Sequence, residues 1–340
     1  MTILRGGEFF MKKAVITTLF GLFLAAALPT AAFAQELVVG GQVVGIKIST
    51  EGVMVAGVAD VETADGNCSP AADAGLKEGD FITEADGQKI LSATELIDAV
   101  GRKSGEAVAL TVSRGDKRLS MMVKPALSKD GQWRLGMWLR DGITGIGTVT
   151  FCDPTTGVYG ALGHSISDSD TGVQIPMNEG SITDAEIVSV TKGAAGTPGE
   201  LNGCADMNKV LGNVEENTGH GIYGRAYVSM GDRVVETGQI CTGKASIVST
   251  VNGREAREYQ VEITRVYKDA DGEHVMLTVT DEQLRAQTGG IVQGMSGSPI
   301  LQNGKLVGAL THVFVNDPTR GYGISIQDML DDAGICQQAA

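Results

Sequence analysis

Apolar and polar residues alternate over short runs along most of the chain, a period that predicts strands rather than helices. Val38-Val39 leads through Gly40-Gly41-Gln42-Val43-Val44-Gly45 into the alternating run Ile46-Lys47-Ile48, and residues 52–58 form a second apolar run. Residues 71–76 predict a short helical turn, and Gly79-Asp80 precedes a strand at Phe81-Ile82. Asp86-Gly87 is a two-residue hairpin signal. Ser92-Ala93-Thr94-Glu95 is a capping box, opening a helix with Leu96, Ile97 and Val100 on one side. Strands at 107–112 and 119–123 complete this region. The polar run 128–131 marks a junction over 126–140. From 141 onward β-branched runs are separated by turn signals at Asp153-Pro154, Asn202-Gly203, Asn252-Gly253, Asp271-Gly272 and Asn303-Gly304. That spacing predicts an all-β barrel or sandwich.

The N-terminus has a different pattern. A basic start, Met11-Lys12-Lys13, precedes an apolar stretch at 14–28 and the cleavage signal Ala32-Phe33-Ala34. Residues 1–34 are expected to be a signal peptide or an uncleaved N-terminal anchor. The remaining chain then works outside the cytoplasm, soluble after processing or held by that segment.

The order of elements over 36–125, with AGLKEGDFITEADGQKI at 74–90, resembles a PDZ domain of the kind attached to bacterial proteases. The resemblance implies a peptide groove between the strand at 45–50 and the helix at 93–101. Val43, Val44, Gly45 and Ile46 would form its carboxylate-binding loop, and a peptide ligand would add a strand to the open edge.

Composition narrows the functions. The 340 residues suit two domains, and 47 glycines with 5% aromatic content fit many turns between short strands. The net charge of −14 repels phosphate backbones, so no nucleic-acid partner is expected. Five cysteines occur without a C-x-x-C pair, which argues against a structural zinc site; no metal and no cofactor are expected.

The candidate chemistry rests on few residues. The four histidines are His164, His220, His274 and His312, and none forms H-E-x-x-H. His220 stands in a G-x-G-x-x-G run, but Arg225-Ala226-Tyr227-Val228 after it reads as strand, so no helix waits to bind a pyrophosphate. His164 follows a strand in Gly160-Ala161-Leu162-Gly163-His164-Ser165, where small neighbours leave the ring accessible as a general base. Gly294-Met295-Ser296-Gly297-Ser298-Pro299 has the form G-x-S-G-x-P, in which chymotrypsin-like serine proteases carry their nucleophile. Ser296 is the candidate nucleophile, with the backbone N–H groups of Gly294 and Ser296 as oxyanion donors. Ser298 competes, but the proline after it has no N–H to contribute. For the residue that orients the histidine, spacing leaves Asp281, Asp168, Asp170 and Asp232 open.

Taken together, the signal segment, the PDZ-like module, GALGHSI, TVTDEQLRAQTGGIVQGMSGSPI and THVFVNDPTRGYGI resemble the SpoIVB (stage IV sporulation protein B) serine peptidase family. The resemblance implies a mainly β fold, with the PDZ module followed by a chymotrypsin-like double β-barrel peptidase domain at 141–336. It places the catalytic residues at His164, Asp281 and Ser296, with Thr311-His312-Val313 beside the serine and His312 as a fallback base. It further implies a self-processing endopeptidase of endospore formers that signals from the forespore into the intermembrane space. Its protein substrate would be the regulatory subunit of a membrane metalloprotease complex (SpoIVFA-like), permitting pro-sigma-K processing, and it would also cut itself. The alternative is a non-catalytic PDZ-containing binding or scaffold protein at the membrane.

Overall fold

The computed structural model describes residues 35–335 except Asp116 and Asp170. The expected signal or anchor segment, Asp170 as a candidate site residue, and Cys336 lie outside the described residues. The chain begins with β1 (Glu36–Val39) and β2 (Val43–Val58). Next come the small hairpin β3 (Val61–Thr63) and β4 (Gly66–Cys68), the one-turn helix α1 (Pro70–Asp73), β5 (Phe81–Ala85) and β6 (Gln88–Lys89). Helix α2 (Ala93–Arg102), β7 (Val108–Arg114) and β8 (Lys117–Val123) follow. A short hairpin, β9 (Ala126–Leu127) and β10 (Trp133–Arg134), leads into β11 (Met137–Cys152) and β12 (Val158–Ala161). The long hairpin β13 (Met177–Thr191) and β14 (Glu200–Val214) precedes β15 (Glu216–Thr218), β16 (Gly221–Arg225) and β17 (Val234–Glu236). The last part holds β18 (Gly243–Ser249), β19 (Arg257–Lys268), β20 (Glu273–Val279), α3 (Glu282–Thr288), β21 (Pro299–Gln302), β22 (Lys305–Val313), β23 (Arg320–Ser325) and α4 (Ile326–Asp332).

Strands β18-β19-β20-β23-β22-β21 close into a barrel, with Ile247 of β18 opposite Ile300 of β21. Period-two alternation builds its core: along β19, Tyr259, Val261 and Ile263 are buried, while Gln260, Glu262 and Thr264 face out. The other half is a 13-stranded branched sheet with the order β15-β16-β12-β11-β2-β5-β7-β8 along its main path. The mainly β fold, with a PDZ-like module and a barrel-bearing peptidase half, is as expected.

The pairing of β2 departs from the expectation. The two predicted strands merge into one of 16 residues. Its second part, with Val53 and Met54 against β5 and Val55 to Val58 against β11, belongs to the PDZ-like module. Its first part lies between β11 and β13, with Gly45 opposite both Ile146 and Thr183. The predicted peptide loop is therefore closed: Val43, Val44, Gly45 and Ile46 are buried, and Val44 to Ile46 are paired on both edges. A peptide cannot add a strand where two strands already take the backbone hydrogen bonds. The junction is also shorter than 126–140, because Met137 to Arg140 form the start of β11 and pair with the module.

Two of the turn signals and the helix cap signal hold in the structure. Asp86-Gly87 (φ 50° and 76°) and Asn303-Gly304 (φ 53° and 77°) make two-residue turns of the primed kind. Asn202-Gly203 does not: it lies inside β14, paired to Ser189 and Ile187, and the chain reverses at 192–199 instead. At α2 the Ser92 hydroxyl accepts from Glu95 N at 3.2 Å, while Glu95 accepts from Leu91 N at 2.8 Å, one residue beyond the usual box. Leu96, Ala99 and Val100 are buried, but Ile97 is 58% exposed. Cys68, Cys152, Cys204 and Cys241 are free thiols.

Because β2 and β11 serve both halves, the module and the peptidase half are expected to unfold together. The chain's two tryptophans, Trp133 and Trp138, both line the module, so their fluorescence reports on it alone. Thermal transitions followed by tryptophan fluorescence and by far-UV circular dichroism should coincide; separate midpoints would refute the shared-strand account.

Candidate active site

An open cleft of about 660 Å³ is lined by His164, Ser165, Gly294, Ser296 and His312, with Ile46, Ile143 and Ile146 as apolar wall. Two segments converge there. One leaves β12 through Leu162 and Gly163, both at φ 72°, so the chain turns sharply and delivers His164. Leu162 is a rare non-glycine in this region, a local strain of the sort concentrated at functional sites.

The other segment is the turn that carries Ser296. It is anchored to β11 by three hydrogen bonds: Thr148 N to Ser296 O at 3.1 Å, Thr148 Oγ1 to Gly294 O at 3.1 Å, and Thr150 Oγ1 to Gly297 O at 2.7 Å. Gly297 has φ +93°, and a Cβ there would lie 2.1 Å from Thr148 O, so no other residue fits. Met295, Gly297 and Ser298 donate their N–H groups to Val292, Leu310 and Met295 carbonyls. The N–H groups of Gly294 and Ser296 have no acceptor among the described residues, as an oxyanion hole requires. Ser298 is fully buried and donates to Met295 O at 2.6 Å, which removes it as a nucleophile.

The histidine is oriented by the backbone. His164 Nδ1 lies 2.8 Å from Ser165 O. A carbonyl only accepts, so Nδ1 carries the proton and Nε2 keeps its lone pair. Desolvation lowers the His164 pKa, and the Ser165 carbonyl partly opposes that shift. The His312 ring lies 4.7 Å away, centroid to centroid, and its pKa is pushed down to about 4 by desolvation and then by His164. The Ser296 hydroxyl donates to Thr311 O at 2.7 Å.

Asp281, expected as the orienting carboxylate, does not line this cleft. It is the N-cap of α3: its carboxylate accepts from Leu284 N at 2.9 Å and from Gln260 N at 3.2 Å. The side chain satisfies a helix terminus that would otherwise hold unpaired N–H groups. Its link to the site is indirect, since α3 runs through Gly289 and Gly290 into the nucleophile turn. Of the alternatives, Asp232 is exposed and lines no part of the cleft, while Asp168 lines it, buried and paired with Arg140 and Thr171. His220 bonds the Asp271 carbonyl and pairs with Asp332, and His274 pairs with Asp269, all outside the histidine–serine pair. Sequence reasoning missed Thr148, Thr150 and the Ser165 carbonyl; isolated threonines and a backbone oxygen leave no motif.

Comparison with known proteins adds the lineage. The family profile described as SpoIVB peptidase S55 matches residues 131–330, more than half of the chain. The chain belongs to the SpoIVB peptidase S55 family. Residues 43–124 of this S55 chain match the PDZ domain profile. The Bacillus subtilis (strain 168) regulator of sigma-W protease RasP is 40% identical over 60 residues, 18% of this chain and 14% of that protein. The S55 chain thus spans about one seventh of that curated relative's length. Among solved structures, the PDZ domain of an SdrC-like protein from Listeria monocytogenes aligns at 34% identity over 27% of this chain and 90% of that one, TM-score 0.22. The Rv3671c protease of M. tuberculosis, active form, aligns at 13% identity over 57% of this chain and 76% of that one, TM-score 0.36.

Two outcomes follow from the geometry. Asp281→Asn keeps an acceptor for Leu284 N and should leave kcat/KM within about threefold, whereas Asp281→Ala loses the cap and about 1 kcal/mol of stability in urea unfolding. A loss of about 10⁴-fold in a folded Asn variant would instead make Asp281 the orienting carboxylate. The second concerns pH. A base must be neutral, and the His164 pKa is lowered from 6.5, so activity should fall on acidification with a midpoint below 6.5. His164 and His312 both hold fewer protons folded than unfolded, so their contribution to stability is present above pH 6.5 and is lost as pH falls below it. A kcat/KM profile with its acidic midpoint above 6.5 would contradict this assignment.

Proposed function

We propose that the chain is a self-processing serine endopeptidase in which Ser296 attacks the scissile carbonyl and His164 takes its proton. The observation that carries this reading is the meeting, in one cleft, of Ser296, a histidine held as the Nδ1–H tautomer, and two N–H groups without acceptors among the described residues. On substrate binding the Ser296 hydroxyl turns from Thr311 O to His164 Nε2. The proton moves to Nε2 as Oγ bonds the carbonyl carbon, and the developing oxyanion falls to Gly294 and Ser296 N–H, each donor contributing about 3–4 kcal/mol in the transition state. The imidazolium then protonates the leaving amine, and water repeats the sequence on the acyl-enzyme. The Ser165 carbonyl does here the orienting that a carboxylate does in a triad, without its charge.

Family membership supports the biological setting: export from the cytoplasm, action between the two forespore membranes, and cleavage of a regulatory subunit of a membrane metalloprotease complex that permits pro-sigma-K processing. The scaffold alternative has one observation in its favour, the Ser296 hydroxyl bonded to Thr311 rather than to the histidine. Intact mass of residues 35–340 over time separates the two readings. Trimming is expected in the wild type and not in Ser296→Ala, together with labelling of the wild type by a fluorophosphonate. An untrimmed, unlabelled wild type favours the scaffold.

A further inference from the structure

The peptide group between Ser165 and Ile166 is held at both ends. Its carbonyl accepts from His164 Nδ1 at 2.8 Å and so sets the histidine tautomer. Its N–H, that of Ile166, donates to Asn217 Oδ1 at 2.8 Å. The Asn217 amide nitrogen donates to the Ile166 carbonyl at 2.9 Å and to the Ile175 carbonyl at 3.1 Å. An N–H donor on one side and two carbonyls on the other admit only one orientation of that amide. Asn217 thus grips Ile166 by both of its backbone groups, directly after the carbonyl that meets the histidine.

The sheet brings Asn217 to this place. β15 pairs with β16 and β16 with β12, so Asn217 stands opposite Ile222 and Ile222 opposite Ala161, in one row across three strands. Ala161 ends β12, and the chain turns through Leu162 and Gly163 to His164. Beyond the histidine the chain folds back through the Ser167–Gln174 bridge, and Ile175 N donates to Ile166 O at 3.1 Å. Gln174 Nε2 donates to Asn217 O at 2.6 Å. A trans peptide is planar with its C=O and N–H antiparallel, so a bond that fixes the N–H also fixes where the carbonyl points. Hydrogen bonds in such a chain polarise one another, so the Asn217 bond also makes the Ser165 carbonyl a better acceptor.

We propose that Asn217 is the positioning residue of the catalytic histidine, acting through the 165–166 peptide. The relay runs from His164 Nδ1–H to Ser165 O, and from Ile166 N–H to Asn217 Oδ1. No proton travels along it. The relay holds Nδ1 protonated while Nε2 takes the serine proton and gives it to the leaving amine. Without the clamp the peptide is free to rotate and its carbonyl to leave Nδ1. The ring then takes the Nε2–H form, which has no lone pair at Nε2 for the serine proton. The catalytic part of this role rests on the peptidase reading of Ser296 and His164, whereas the hold on the tautomer does not.

The test reads tautomer and reactivity separately. In the full chain carrying Ser296→Ala, long-range proton–nitrogen spectra of the histidine rings should show His164 as the Nδ1–H form, and amide exchange at Ile166 should be slow. Adding Asn217→Leu, which keeps the bulk and removes the side-chain hydrogen bonds, should move His164 toward the Nε2–H form. With Ser296 present, Asn217→Leu should lower the maximal rate of fluorophosphonate labelling by about tenfold or more, with the half-saturating concentration within about twofold. Gln174→Ala removes a neighbouring bond and spares the Ile166 peptide, so it should leave the labelling rate within about twofold and the tautomer as it was. Slower labelling with an unchanged tautomer, or a loss matched by Gln174→Ala, makes Asn217 merely structural and overturns the proposal. Should Asn217→Leu fail to fold, the parent protein still decides: a fast-exchanging Ile166 amide or an Nε2–H His164 overturns the proposal, and a slow amide with Nδ1–H supports it. A wild type that is never labelled, with the tautomer shift present, overturns the peptidase reading and supports the clamp.

Discussion

The backbone hydrogen bonds of β11 tie the molecule together. Its first residues pair with the module part of β2, its middle with the buried part of β2, and its end with β12 and β1. From its middle, Thr148 and Thr150 reach across to the closed barrel and hold the carbonyls of Gly294, Ser296 and Gly297. Between its bulges at 138–139, 140–142 and 149–151, a one-residue slip of β11 would turn every side chain to the opposite face. One strand thus touches the module, the histidine-bearing end of β12 and the nucleophile turn.

The cleft works by controlling which polar groups stay unpaired. Along the nucleophile turn most N–H groups find carbonyls, and those of Gly294 and Ser296 find none among the described residues. Unpaired donors near a protein surface are stabilised by water, and a substrate oxygen that acquires charge replaces that water without reorganising the donors. The same control acts on the histidine pair. Desolvation holds His164 and His312 neutral, and the Ser165 carbonyl decides which nitrogen of His164 is the base. Asp281 contributes at a distance, by capping the N-terminus of α3, the helix that leads through Gly289 and Gly290 into the turn.

Much of this was legible from local patterns. Alternation marked the strands of the barrel, Asp86-Gly87 and Asn303-Gly304 marked tight turns, and Ser92 marked the start of α2. The motifs around His164 and Ser296 named two residues that do share a cleft. Asn202-Gly203 misled because turn propensity yields when both neighbours are paired in a long hairpin. Asp281 caps α3 in the structure, and an aspartate before a helix and an aspartate beside a histidine look alike in a sequence.

The amino-acid sequence by itself determined which residues can react and where the chain can turn, because side-chain chemistry and φ preferences are properties of single positions and near neighbours. Which strand edges remain open was decided only by the tertiary structure. Val43-Val44 and Met137-Trp138-Leu139 are both apolar runs beside a glycine, and nothing local tells how each will pair. Folding closes most of the first between β11 and β13 and pairs the second with β2, since pairing depends on residues up to about 140 positions away in the chain.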